Sequence, residues 1–243
     1  MKPLKAVESG AETKQETCPA HGLFTARRVD DWMGWTDCPK CLAEQQAAKR
    51  QAAVAREMER ACIPARFASK GLDIYQAASQ GQITALKAAQ AYCRDFGKHR
   101  QDGICLIFAG KPGTGKTHLA CAAITQVIAA GYTGRYTRAF ELIEAIRATW
   151  RRDSRKTERE IIEEFTQVDL LVLDEVGVQY GSESETVELF KVLDTRYLDV
   201  KPSIVITNVG RDELQQYLGA RAFDRLKENG GRLVLFDWDS FRH

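Results

Sequence analysis

From Ile104 onward the chain alternates short apolar runs with longer stretches of helical periodicity. "ICLIFA" (104–109) is continuously apolar, the pattern of a strand buried on both faces. "THLACAAITQVIAA" (117–130) reads as a helix and stops at Gly131. "GRYT" (134–137) is a short strand candidate, and "FELIEAIRATWRR" (140–152) has the spacing of an amphipathic helix. "DLLVLDE" (169–175), "SIVITN" (203–208) and "RLVLFD" (232–237) give three further strands. This alternation predicts an α/β domain with a parallel sheet covered on both faces.

The first hundred residues differ. Residues 1–17 are polar and read as a disordered tail. Residues 18–41 form a cysteine-rich module, and 42–75 a connecting helix and linker. Within that stretch Leu42–Arg60 lacks Gly and Pro and is rich in Ala, Gln, Glu, Lys and Arg, a helix by propensity with a thin apolar face. Pro64 closes it. "AASQGQITALKAAQAYCRDF" is a second helix, and residues 76–243 are read as the main domain. Only six residues follow "RLVLFD", which leaves no room for a helical lid of several turns.

Composition adds limits more than identity. The 243 residues are 44% hydrophobic and 28% charged with a net charge of +2, so bulk charge does not point to nucleic acid. No apolar run is long enough to span a membrane and the N-terminus has no secretory h-region, so a cytoplasmic protein is expected. The seven cysteines are then thiols or metal ligands rather than disulfides.

Three stretches carry chemistry. Gly110-Lys111-Pro112-Gly113-Thr114-Gly115-Lys116-Thr117 fits the phosphate-loop pattern between a strand and a helix. The backbone N–H groups of such a loop cradle phosphates, Lys116 reaches the outer phosphates, and the Thr117 hydroxyl helps hold Mg²⁺. His118 completes the ATP-binding set and packs on the helix rather than reacting. "LLVLDEVG" places Asp174 and Glu175 at a strand's C-terminal end, where Asp174 serves Mg²⁺ and Glu175 polarises the attacking water. Asn208 closes another strand with an amide that can bond the γ-phosphate or the water. No N-K-x-D guanine motif is present, which argues against a GTPase.

The second stretch is basic. Arg147, Arg151, Arg152, Arg155, Lys156 and Arg159 face only Asp153 and Glu158, with Trp150 among them. Arginines bind phosphates and an indole stacks on an unpaired base, so this is the candidate single-stranded DNA contact. The third is Cys18-x2-His21-x16-Cys38-x2-Cys41, two chelating pairs suited to a closed tetrahedral Zn²⁺ site of structural type.

Together the three strand-end motifs resemble an AAA+ ATPase with Walker A, Walker B and sensor 1. "LGARAFDRL" (218–226), "LVLFDWDSFR" (233–242), "GKPGTGKTHLA", "VDLLVLDEVGVQ" and "IPARF" (63–67) are similar to the DnaC family of replicative-helicase loaders, over residues 62–243. The resemblance implies a three-layer sandwich on a five-stranded parallel sheet, with a minimal or absent lid. It implies an arginine finger at Arg225 or Arg221, with Arg225 favoured, supplied to a neighbouring subunit, and a sensor 2 arginine at Arg242. It implies that the basic segment lines a single-strand channel. The implied partners are a DnaB-type helicase, single-stranded DNA and further copies or related AAA+ subunits. An IstB-type transposition helper and an ATP-binding regulatory module without turnover stand as alternatives, and a nucleotide kinase as a weaker one.

Overall fold

The computed structural model describes residues 12–30, 34–177 and 183–241. Two compact units divide the chain, Met1–Ala55 and Arg56–His243. Arg242 lies outside the described residues.

In the first unit β1 (Thr13–Cys18) and β2 (Gly22–Asp30) form an antiparallel hairpin, and β3 (Gly34–Trp35) pairs with the end of β2. The turn closes with Cys18 opposite Gly22, so residues 19–21 form its tip. Thr13–Thr17, expected as part of a disordered tail, are therefore strand. Their alternation is nearly all polar, so nothing in it announced a strand; pairing along β2 supplies the order. Most of α1 (Pro39–Arg60), up to Ala55, completes this unit, and the helix's last residues, from Arg56, are counted in the second. None of its residues is buried, in keeping with the thin apolar face.

The second unit is built on a five-stranded sheet. Its strands are β4 (Leu106–Gly110), β5 (Gly134–Arg138), β6 (Leu170–Asp174), β7 (Ser203–Thr207) and β8 (Arg232–Phe236). They lie in the order β5-β6-β7-β4-β8, and every pairing is parallel. Parallel neighbours need crossover connections, and helices supply them. All five predicted strands exist, each within two residues of its expected ends.

Successive side chains of a strand point to opposite faces. Ile107, Ala109, Leu171, Leu173 and Val205 enter one core, shared with Leu142, Leu189, Leu214 and Phe223. Those partners come from α6 (Ala139–Ala148), α8 (Glu183–Leu198), α9 (Arg211–Leu218) and α10 (Ala220–Lys227). On the other side, α5 (Lys116–Ala129) contacts β5 and β6, and α3 (Gln80–Arg94) contacts β8 and α5. The result is a three-layer α/β sandwich. Two short helices, α2 (Ala65–Ala68) and α4 (Phe96–Asp102), flank it, and α7 (Glu158–Thr166) precedes β6.

Helix α6 ends at Ala148, four residues before the expected Arg152. The Thr149 hydroxyl bonds the Ile146 carbonyl and Ser154 bonds the backbone of Lys156, so the chain turns before α7 opens at a Thr157–Glu160 capping box. Arg196 of α8 is 1% exposed. Its guanidinium donates to the carbonyls of Phe165, Val168, Asp169 and Pro202 and to the Ser203 hydroxyl, tying the end of α7, the start of β6 and the start of β7 together. Among the described residues no helix is long and apolar enough to cross a membrane.

Candidate functional site: the phosphate loop and its surroundings

The loop between β4 and α5 takes its shape from glycines. Gly110 has φ +134° and lies so close to the Phe236 backbone that a Cβ would collide with its carbonyl. Gly115 has φ +93° and caps α5, with Tyr75 where a side chain would go. Only glycine meets both demands. Lys116 opens α5, is 5% exposed, and donates from Nζ to the Gly110 and Lys111 carbonyls at 2.7 Å each. The Thr114 hydroxyl bonds the Lys111 carbonyl at 2.8 Å, tightening the turn around Pro112 and Gly113.

Asp174 ends β6 in the middle of this arrangement and is 5% exposed. Its Oδ2 accepts from the Thr117 hydroxyl at 2.8 Å and from the Tyr136 phenol at 2.9 Å, and its Oδ1 from the Glu175 N–H at 2.7 Å. The hydroxyl and carboxylate oxygens brought together by Thr117 and Asp174 are the hard donors that Mg²⁺ takes, so these residues fit the metal. Burial, reinforced by the Asp174 carboxylate, raises the Tyr136 phenol above its ordinary pKa, so it stays a donor. Glu175 follows with φ +60°, a left-handed backbone that non-glycine residues adopt at a cost. Asp174, Glu175 and Asn208 line one cleft of about 390 Å³ together with the loop residues Pro112 to His118. The three strand-end residues expected to act together do meet.

The cleft has a wall that the sequence did not announce. Arg66, Phe67, Lys70, Ile74, Tyr75 and Gln76 line it, as does Phe241 beyond β8. Residues 56–75, read as connecting helix and linker, thus belong to the second unit. The Ala61 carbonyl takes the Tyr136 N–H at 2.8 Å, and the Gly71 carbonyl lies 2.9 Å from His118 Nε2. That bond and an edge-to-face contact with Tyr75 account for His118 as a packing residue. Arg66 and Phe67 fall in the "IPARF" segment and Phe241 in "LVLFDWDSFR", both quoted for the family resemblance, but neither pattern announced a place at the cleft; the physical signal was the apolar set Phe67, Ile74 and Tyr75 in a segment otherwise rich in turn formers.

The arginines expected to serve a neighbour differ in surroundings. Arg225 forms an ion pair with Asp194 of α8 and lies over the ring of Tyr197, 4.7 Å from its centroid. Arg221, one turn earlier on α10, is exposed. In the basic stretch, Arg147 pairs with Glu185 and Glu188 at 3.7 and 3.3 Å, Lys156 with Glu164, and Arg159 with Glu163. Trp150 is 58% exposed and donates from Nε1 to Glu158 at 3.1 Å. Arg151, Arg152 and Arg155 are exposed and in none of these pairs. Acidic neighbours from α7 and α8 therefore offset half of a cluster that looks uniformly basic in one dimension.

In the first unit Cys18, His21, Cys38 and Cys41 bring their ligand atoms within 4.8 Å of one another. Cys18 Sγ lies 3.4 Å from Cys41 Sγ, and His21 Nδ1 lies 3.3 Å from Cys41 Sγ and 3.7 Å from the other two sulfurs. Thiolates bound at 2.3 Å at the corners of a tetrahedron would stand about 3.8 Å apart, so the four donors fit zinc. The outer nitrogen, His21 Nε2, is 3.0 Å from Glu44.

A phosphate loop on a parallel α/β sheet, with an acidic strand end beside it, defines a P-loop nucleotide-binding protein. A family model described as "IstB-like ATP binding protein" matches residues 16–226. The replicative helicase loader DnaC of Escherichia coli K12 is 30% identical over 98% of this chain and 97% of its own. The DnaC loader of Buchnera aphidicola from Acyrthosiphon pisum is 30% identical over 83% of this chain and 79% of its own. A crystal structure of a DnaC helicase loader superposes with a TM-score of 0.64 at 24% identity, over 71% of this chain and 99% of that one. A replication initiator DnaA bound to AMPPCP and single-stranded DNA superposes at 0.61 and 25% identity, over 73% and 52%. The chain belongs to the IstB/DnaC-like family of AAA+ ATP-binding proteins and is homologous to the DnaC replicative helicase loaders.

Proposed function

We propose that the protein hydrolyses ATP to load a DnaB-type replicative helicase onto single-stranded DNA. The observation that carries this reading is the Thr117–Asp174–Glu175 arrangement, in a chain that aligns with DnaC loaders along nearly its whole length. Lys116 and the loop N–H groups hold the phosphates. Thr117 and Asp174 would hold Mg²⁺, which would supply positive charge beside the phosphates. Glu175 takes the proton of the attacking water, and Asn208 orients that water or the γ-phosphate. An arginine of a neighbouring subunit completes the site; exposure favours Arg221, whereas Arg225 must first leave Asp194. Arg242 is the candidate for the second phosphate-sensing arginine.

Single-stranded DNA contacts fall to Arg151, Arg152 and Arg155 with Trp150, and Arg147 and Lys156 join only by exchanging their carboxylates for phosphates. Cys18, His21, Cys38 and Cys41 bind one structural zinc, which organises a hairpin too polar to build a core. Steady-state ATP hydrolysis tests the reading, with single-stranded or duplex DNA and with or without helicase. Turnover stimulated by single strands, and a drop of at least ~100-fold in Glu175→Gln with ATP binding retained, is the expected result. The family match to IstB-like proteins motivates one rival, a transposition helper: stimulation by duplex DNA without helicase binding would select it. Absence of turnover in every condition would select an ATP-binding regulatory module.

A further inference from the structure

The segment after β8 is bound to the outside of the phosphate loop. Trp238 lies tilted against Phe236, with centroids 4.8 Å apart, and rests against Gly81, where a Cβ would come within 3.1 Å of the indole. From there its Nε1–H donates to the Thr114 carbonyl at 3.1 Å. The Tyr75 hydroxyl donates to the same oxygen at 3.2 Å. One residue earlier in the loop, the Gly113 carbonyl accepts the Phe241 N–H at 2.9 Å. Tyr75 and Phe241 then meet edge to face, 6.0 Å between centroids.

A trans peptide is planar, and its C=O and N–H point in opposite directions. A carbonyl oxygen has two lone pairs, so Thr114 can hold both ring donors at once. Fixing the Gly113 and Thr114 carbonyls on one side therefore fixes the N–H groups of Thr114 and Gly115 on the other. We propose that Trp238 and Tyr75 are positioning residues of the phosphate loop: by holding the Thr114 carbonyl from outside, they keep the Gly115 N–H turned away from them, pre-set to receive a phosphate oxygen. The inference rests on reading this loop as the ATP site. Burial pushes the Tyr75 hydroxyl up to about 12, so it remains a donor throughout the working pH range.

The test compares wild type, Trp238→Phe, Tyr75→Phe and Lys116→Ala by calorimetric titration with a slowly hydrolysed ATP analogue and Mg²⁺. Each is also followed by thermal unfolding and steady-state turnover. Tyr75→Phe keeps its ring and loses only the donor, whereas Trp238→Phe also gives up indole surface packed near Gly81. The expected result is an affinity about three- to tenfold weaker in each, with KM raised and kcat little changed, and with Tm close to wild type in Tyr75→Phe and lowered in Trp238→Phe. If Trp238→Phe is too unstable to assay, Tyr75→Phe carries the test from a different segment. Wild-type affinity in both ring variants, with binding lost in Lys116→Ala, would sink the positioning role and leave the ATP site standing. Wild-type affinity in Lys116→Ala would overturn the ATP-site reading and this inference with it.

Discussion

Asp174 shows how a buried carboxylate is satisfied beside the phosphate loop. Left alone at a buried strand end it would be costly; here Thr117, Tyr136 and the Glu175 N–H supply three donors to its two oxygens. Thr117 is within the motif, but Tyr136 comes from the neighbouring strand, and its phenol would remain as a donor to Asp174 if the Thr117 hydroxyl were taken up by Mg²⁺. Removing that hydroxyl in Tyr136→Phe leaves Oδ2 less constrained. We expect the Mg²⁺ concentration for half-maximal turnover to rise by about three- to tenfold, while ATP affinity at saturating Mg²⁺ changes little. A Mg²⁺ titration of turnover checks it; an unchanged midpoint would mean that Thr117 alone orients the carboxylate. The phosphate loop, Asp174, Glu175 and Asn208 were all legible in sequence because each is fixed by spacing next to an apolar strand. Tyr75, Tyr136 and Trp238 were not, because their partners lie 38 to 124 positions away along the chain and no local pattern records such a meeting.

The same division holds for elements. The five strands were legible because a strand buried on both faces is an unbroken apolar run. Helices α7 to α10 were harder: α7, α9 and α10 are only eight or nine residues long and strongly polar, and α8 carries polar residues among its buried ones. Asp169, just before β6, joins elements that lie far apart in sequence. It takes the Arg100 guanidinium of α4 at 2.8 Å and both the N–H and hydroxyl of Thr133 at 2.9 Å. Burial works to raise its pKa, but the Arg100 and Thr133 bonds outweigh that and hold it below the ordinary carboxylate value. A carboxyl depressed on folding stabilises the fold above its unfolded pKa of about 3.9, and that contribution is lost as pH falls through the folded value. Asp169→Asn should lower Tm near neutral pH and flatten its decline below about pH 4; a wild-type slope would place the effect in other carboxylates. For the hairpin of the first unit, β1 is polar and ordered by its pairing along β2, and the zinc proposed at Cys18, His21, Cys38 and Cys41 would anchor it. Chelating zinc should abolish the protection of β1 and β2 amides from hydrogen exchange while those of the five-stranded sheet remain protected.

For the whole molecule, net charge hides the arrangement that matters. A total of +2 is compatible with DNA binding only if basic groups are segregated, and pairing with glutamates of α7 and α8 decides which of them are available. Arg151, Arg152 and Arg155 remain outside those pairs. Replacing all three with Ala should weaken single-strand binding and reduce the slope of log affinity against log salt by about 2, near 0.7 for each phosphate that is no longer neutralised. Replacing Arg159, already satisfied by Glu163 one turn on, should change that slope by less than about 0.7. Fluorescence anisotropy across a salt series reads both. Equal slopes in the two variants would remove the distinction between paired and unpaired arginines.

The left-handed backbone of Glu175 has a consequence for how this protein can change over time. At φ +60° a glycine or asparagine would sit more comfortably, so selection for a sturdier fold acting on that position alone would discard the residue proposed to activate water. Drift toward robustness and retention of turnover pull in opposite directions there. A lineage released from the need to hydrolyse ATP would be expected to lose its glutamate at this place early, while the glycines and the lysine of the loop persist for as long as nucleotide is still held.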